Sequence, residues 1–173
     1  TEFLKTVHSA LKHLHQARKL GNHALTSLAG VRARQQQYNW PDTAFGRAAA
    51  LRQLLEDARE ALAQEDPEAA ALLKARFWQR EGVLQLARRQ HVAESTIYDH
   101  QSKAIQALVR KLWRLEQAVQ TEMDVKQRYL TRNIPPPNYP RFLGRDEHRS
   151  RLQTALTAEH GPWLISIEGL GGV

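Results

Sequence analysis

The chain has 173 residues, with 25 Lys and Arg against 18 Asp and Glu, a formal charge of +7. It has no cysteine, which excludes disulfide scaffolds, thiolate metal sites and cysteine nucleophiles. No apolar run approaches the roughly 18 residues of a membrane span, and no charged-then-apolar leader opens the chain. A non-membrane, cytoplasmic protein is therefore expected. The chain starts at Thr1 without a methionine and stops inside a glycine-rich run, so a fragment of a longer protein is expected. Residues 134–173 carry four side chains of each sign, so the whole basic surplus lies in residues 1–133 and favours contact with a polyanion there.

In chain order, Leu4, Val7, Leu11 and Leu14 have the spacing of one helix face, predicting a helix from Phe3 to Leu20 with Gly21 as its stop. Lys5, His8, Lys12 and His15 fall on the opposite side and read as a solvated polar face, not as a metal site. Residues 21–41 show no clear period, and Asn39-Trp40-Pro41 reads as a boundary. Asp42 is placed to cap a helix with the apolar stripe Phe45, Ala48, Leu51, Leu55, Ala58 and Leu62. Asp66-Pro67 predicts a further start, with a helix to about Trp78 burying Ala70, Leu73 and Phe77.

A break at Glu81-Gly82 is followed by a short helix from Val83 to Gln90, a turn at His91-Val92, and a long helix to about Tyr129. From Ile105 that helix carries a heptad-like seam of Leu108, Leu112, Leu115, Val119 and Met123. Packing on helices of the same chain is the favoured reading of the seam, and a coiled-coil dimer the sharper alternative. Thus residues 1–133 are expected to be all-α. Residues 134–141 form a proline-rich linker, a helix is expected over 145–158, and Trp163 to Ile167 reads as a buried strand. Residues 142–173 would then be the truncated start of an α/β domain.

Two motifs carry the functional expectations. A two-helix DNA reader needs a small residue midway in its first helix and apolar residues that lock the pair. Ala87 supplies the first, and Leu86, Val92 and Ile97, at −1, +5 and +10 from it, supply the second. The string FWQREGVLQLARRQHVAESTIYDHQSKAIQALVRKL, within residues 72–112, resembles the helix-turn-helix of bacterial sigma factor region four and LuxR-type domains. It departs from that family in having His91 where glycine is usual, Gln90 where a bulky apolar residue is usual, and Ala93 where serine commonly caps the second helix.

Opposite Ile97, the reading face comprises Ser95, Tyr98, Asp99, Ser102 and Gln106, with Lys103 at its edge. Serine and glutamine read base edges, and aspartate accepts from cytosine N4. Arg88 and Arg89, on the preceding helix, are placed to hold the phosphate backbone. Double-stranded DNA is the expected partner. Asp99 and the weak cap at Ala93 favour the alternative, a module that recruits another protein such as RNA polymerase, with the two helices kept as scaffold.

The second motif pairs Phe142-Leu143-Gly144-Arg145-Asp146-Glu147 with the final Glu168-Gly169-Leu170-Gly171-Gly172-Val173. Together with the proline-rich segment before them, they resemble the opening of STAND-type, NB-ARC-like signalling ATPases. The resemblance implies an adenine-pocket role for Gly144 and Arg145 and a phosphate-loop role for Gly169, Gly171 and Gly172. It also implies ATP or ADP with magnesium as cofactor of a longer parent, and homo-oligomerisation on activation. The phosphate-loop lysine and the following hydroxyl are not in this sequence, so no ATPase activity is expected from it alone. No clustered carboxylates, metal ligands or nucleophile–base pair suggest another enzyme.

Overall fold

A computed structural model of the protein describes residues 2–133 and 146–157. Every regular element among them is helical: α1 Glu2–Lys12, α2 Ala17–Gly21, α3 Ala29–Gln37, α4 Ala44–Ala63, α5 Pro67–Leu73, α6 Val83–Gln90, α7 Glu94–Asn133 and α8 Asp146–Thr157. A short 3-10 turn, Ala24–Ser27, precedes α3, and a single π-helical turn, Lys74–Trp78, follows α5. The chain divides into two compact units, Thr1–Arg128 and Tyr129–Val173. In the second, α8 matches the expected helix and carries an Arg151–Glu147 ion pair at 2.9 Å, one turn apart. The proline-rich linker, the expected strand and all five glycine and arginine residues of the nucleotide motifs lie outside the described residues.

The core of the first unit forms around α4. Leu51, Leu54, Leu55 and Ala58 are fully buried and meet Val7 and Leu11 of α1, Leu20 of α2, Val31 of α3, Leu73 of α5, and Leu108 and Leu112 of α7. The stripe expected for α4 is therefore buried, except that Phe45, in its first turn, is 71% exposed. Arginines of α4 also fasten the ends of earlier helices: Arg52 donates to the Leu14 carbonyl at 2.8 and 3.2 Å, and Arg47 to the Gly21 carbonyl at 3.0 Å. Such bonds satisfy carbonyls that helix ends leave without an internal partner.

They also explain one departure from expectation. The helix predicted from Phe3 to Leu20 is broken after Lys12: Leu14 bonds back to Leu11 in a tight turn, and α2 starts at Ala17. Leu14 stays on the buried face, and α2 ends at Gly21 as read. A second departure is α3, in a segment without hydrophobic period. Its start is held from 86 residues away, where the buried Glu116 carboxylate accepts the Ala29 and Gly30 N–H groups, each at 2.8 Å. A third concerns the cap of α4. Thr43 fills that position, its hydroxyl accepting from Gly46 N–H at 3.2 Å, while Asp42 pairs with Arg47 at 2.7 Å. The Asp66 cap of α5 is as expected, accepting from Ala69 N–H at 2.9 Å.

A helix-turn-helix and two flanking clefts

The second apolar cluster of the first unit joins α5, the π turn, α6 and α7. It consists of Leu72, Ala75, Val83, Leu86, Ala87 and Ile97. Leu86 and Ile97 are completely buried and Ala87 nearly so, which is the locking role assigned to them from spacing. Val92 is the exception, at 37% exposed and outside the cluster. Its backbone does the work instead: Val92 N–H donates to the Ala87 carbonyl at 3.0 Å, closing the end of α6.

That closure requires a left-handed residue between the helices. His91 takes it, with φ 55° and ψ 40°. Glycine adopts this conformation freely, whereas a residue with a Cβ pays roughly 1–2 kcal/mol. The turn at position 91 is thus left-handed in a residue that is strained to adopt it. At the other end of α6, the Gln85 side chain accepts the Gly82 N–H at 3.1 Å. The Ala93 carbonyl receives the Ile97 N–H at 3.3 Å and so opens α7, with a methyl where a capping hydroxyl is usual.

With Ile97 inward, Ser95, Tyr98, Asp99, Ser102, Lys103 and Gln106 are all exposed. They occupy one side of α7, as about 100° per residue requires. Arg88 and Arg89 are exposed on α6. The two differ in surroundings: Arg89 is paired with Glu81 at 2.9 Å, while no ion pair among the described residues engages Arg88. Asp99 sits in the middle of the reading face and Glu94 in the first turn of α7, also exposed.

A cleft borders each flank of this face. On one flank, Arg89, Gln90, His100, Lys103 and Arg110 line a space of about 630 Å³ between α5, α6 and α7, which Asp66 and Glu68 share. On the other, α1, the π turn and α7 enclose about 560 Å³. Its polar lining is His8, Lys12, His15, Arg76, Arg80, Tyr98 and Gln101, and no carboxylate lines it. Of the four positions that read as a solvated face, His8, Lys12 and His15 therefore line this cleft.

The geometry of that cleft is fixed by backbone and side-chain bonds. His15 donates from Nε2 to the Phe77 carbonyl at 2.8 Å, and the His8 ring meets the Phe77 ring edge-on at 6.0 Å. Arg76 donates from Nε to Gln101 Oε1 at 3.2 Å and from Nη1 to the Glu81 carbonyl at 2.9 Å. Arg80, next to it, has φ 61°, a left-handed backbone for a residue with a long side chain. Burial lowers the His8 pKa below the usual histidine value, with the Lys12 and Arg76 charges adding to the shift. None of this was legible in the sequence, because Lys12 and Arg80 are brought together by the turn after Lys12 and by the π turn. No family model, no curated protein and no solved structure matches this chain.

Proposed function

We propose that residues 1–133 form a DNA-binding module in which α7 enters the major groove and α6 lies across the backbone. The observation that supports this reading most is the locked pair itself. Leu86, Ala87 and Ile97 are buried together, the His91 turn has the needed hand, and six polar or aromatic side chains project from the first three turns of α7. Serine, glutamine and aspartate supply base-edge contacts, while Arg88, Arg89 and Lys103 supply phosphate contacts. The central Asp99 lowers affinity for any duplex and so favours assembly of several modules on one DNA, where effective concentration compensates for a weak individual contact.

The nucleotide motifs extend this proposal to the parent protein: a cytoplasmic, STAND-type ATPase acting as a transcriptional regulator through nucleotide-dependent oligomerisation. ATP or ADP with magnesium would be held by Gly144, Arg145, Gly169, Gly171 and Gly172 together with residues that this sequence does not contain. Among the described residues, no helix is long and apolar enough to cross a membrane.

The test is fluorescence anisotropy with a short labelled duplex across a salt series. Arg88→Ala/Arg89→Ala should weaken binding and lower the slope of log affinity against log salt by about two, since each phosphate contact contributes roughly 0.9. An unchanged slope would remove α6 from the interface.

A second reading has its own support. Trp113, Met123, Val125 and Tyr129 are 49–64% exposed along α7, an apolar content that suits a protein partner, such as RNA polymerase, with the helix pair as scaffold. Retention of a partner by a variant with Ser95 and Ser102 replaced would favour it.

A further inference from the structure

We propose that the cleft between α1, the π turn and α7 is a phosphate-binding site on the flank of the reading helix. It collects Lys12, Arg76 and Arg80, with His8 and His15, from two separate parts of the chain, and no carboxylate lines it. Among the described residues no ion pair neutralises Lys12, Arg76 or Arg80. Lys12, Arg76 and Arg80 thus line the cleft with no carboxylate beside them, an excess of positive charge that favours a bound anion. The wall is prearranged: Arg76 is held by Gln101 and the Glu81 carbonyl, and His15 by the Phe77 carbonyl. A guanidinium held in this way presents its remaining N–H groups to an anion without first being ordered, while the His15 Nε2–H stays with the Phe77 carbonyl. The His8 pKa is lowered chiefly by burial, and the Lys12 and Arg76 charges act on it in the same direction.

Phosphate fits better than carboxylate. Two guanidinium groups and an ammonium group suit an anion with several acceptor oxygens, and arginine is well matched to phosphate. The favoured source is the phosphodiester backbone of DNA. Tyr98, which lines the cleft, belongs to the reading face, and Gln101, at the cleft's inner wall, lies on the same helix. A helix in the major groove has a phosphate strand along each flank. The opposite flank carries Arg89, Lys103 and Arg110, so both strands would meet cations. This choice of source rests on the DNA reading, whereas the affinity for phosphate rests on the cleft alone. A free phosphorylated small molecule is the other source of the same chemistry.

The experiment follows the His8 and His15 imidazole signals by NMR in the full 173-residue chain, titrated with inorganic pyrophosphate and, separately, with a 20-base-pair duplex. Lys12→Gln/Arg80→Gln is the comparison, both side chains being exposed and remote from the core. Pyrophosphate is expected to shift both signals in the wild type and to raise the His8 titration midpoint, with at least tenfold weaker binding in the variant. The duplex is expected to shift the same signals and displace pyrophosphate. Its affinity should fall in the variant with a salt slope lower by about two. Pyrophosphate shifts that the duplex neither reproduces nor reverses would keep the site and assign it to a free phosphorylated ligand. Signals unmoved by pyrophosphate, or equal pyrophosphate affinity in wild type and variant, would overturn the proposal. Duplex binding that persists in that case, sensitive to Arg88 and Arg89 but not to Lys12 and Arg80, would leave the DNA reading intact.

Discussion

Glu116 holds Gly30. The carboxylate, 1% exposed near the middle of α7, accepts the Gly30 N–H through Oε2 and the Ala29 N–H through Oε1, both at 2.8 Å, and Gln120 donates to it at 2.8 Å. A negative group at this end of α3 also meets the positive end of the helix dipole. The space is tight: a Cβ at Gly30 would lie 3.2 Å from Glu116 Oε2 and 3.3 Å from Leu54. α3 has little apolar face of its own, and this contact fixes its start to α7.

Removing the carboxylate should therefore cost far more than an ordinary surface substitution. Glu116→Ala leaves two N–H groups and a cavity behind, for a loss of about 3 kcal/mol, and Glu116→Gln, which keeps an acceptor, about half that. Urea denaturation measures both. A loss below about 0.5 kcal/mol for Glu116→Ala would mean that α3 is not anchored this way.

The closest helix contact gives a second prediction. A Cβ built on Gly21 would lie 1.7 Å from the Ala44 carbonyl oxygen, a backbone atom that cannot turn aside. Gly21→Ala should destabilise the first unit by about 2–3 kcal/mol, because the start of α4 must move away from the end of α2. Thermal unfolding checks it; a neutral substitution would show that the two helices do not meet at this distance.

His91 predicts a gain. Replacing it with glycine removes the left-handed cost and should stabilise by about 0.5–1 kcal/mol after the added freedom of the unfolded chain is counted. His91→Val should destabilise by more than glycine stabilises, since a β-branched residue resists positive φ. Equal stability of the two variants would contradict the turn geometry.

The sequence made the second half of this fold more legible than the first. α4 to α7 announce themselves through unbroken periodicity, the Asp66-Pro67 start and the Glu81-Gly82 break, and Leu86, Ala87 and Ile97 have the roles their spacing assigns. The break after Lys12 and the presence of α3 depend on Arg52 and Glu116, residues 38 and 86 positions from their acceptors or donors. Local pattern carries no trace of such bonds. The same holds for the site: the exposed face of α7 follows from its period, while the basic cleft exists only because two irregular turns bring α1 to Arg76 and Arg80.

Acid should destabilise the protein before its carboxylates titrate. His8 and His23 both have pKa values below the usual 6.5, chiefly through burial, with Lys12 and Arg76 acting on His8 and His13 on His23. A group whose folded pKa is depressed contributes stability that is full above its unfolded value and lost as pH falls toward the folded one. Melting temperature should therefore drop as pH falls below about 6.5. His8→Gln should flatten part of that drop; identical pH profiles for wild type and variant would contradict it. A second loss belongs to Glu65, whose pKa is lowered by its bond to Lys111, and begins as pH falls below the ordinary carboxylate range.

The proposed sequence-selective recognition of DNA by α7 is tested most directly by selection from a random duplex pool by the 173-residue chain at near-physiological salt, followed by sequencing. An enriched common motif is expected, one that disappears with Ser95→Ala/Ser102→Ala while overall DNA affinity changes little. Recovery spread evenly over all sequences and abolished by modest added salt would contradict it, leaving a basic surface without a reader.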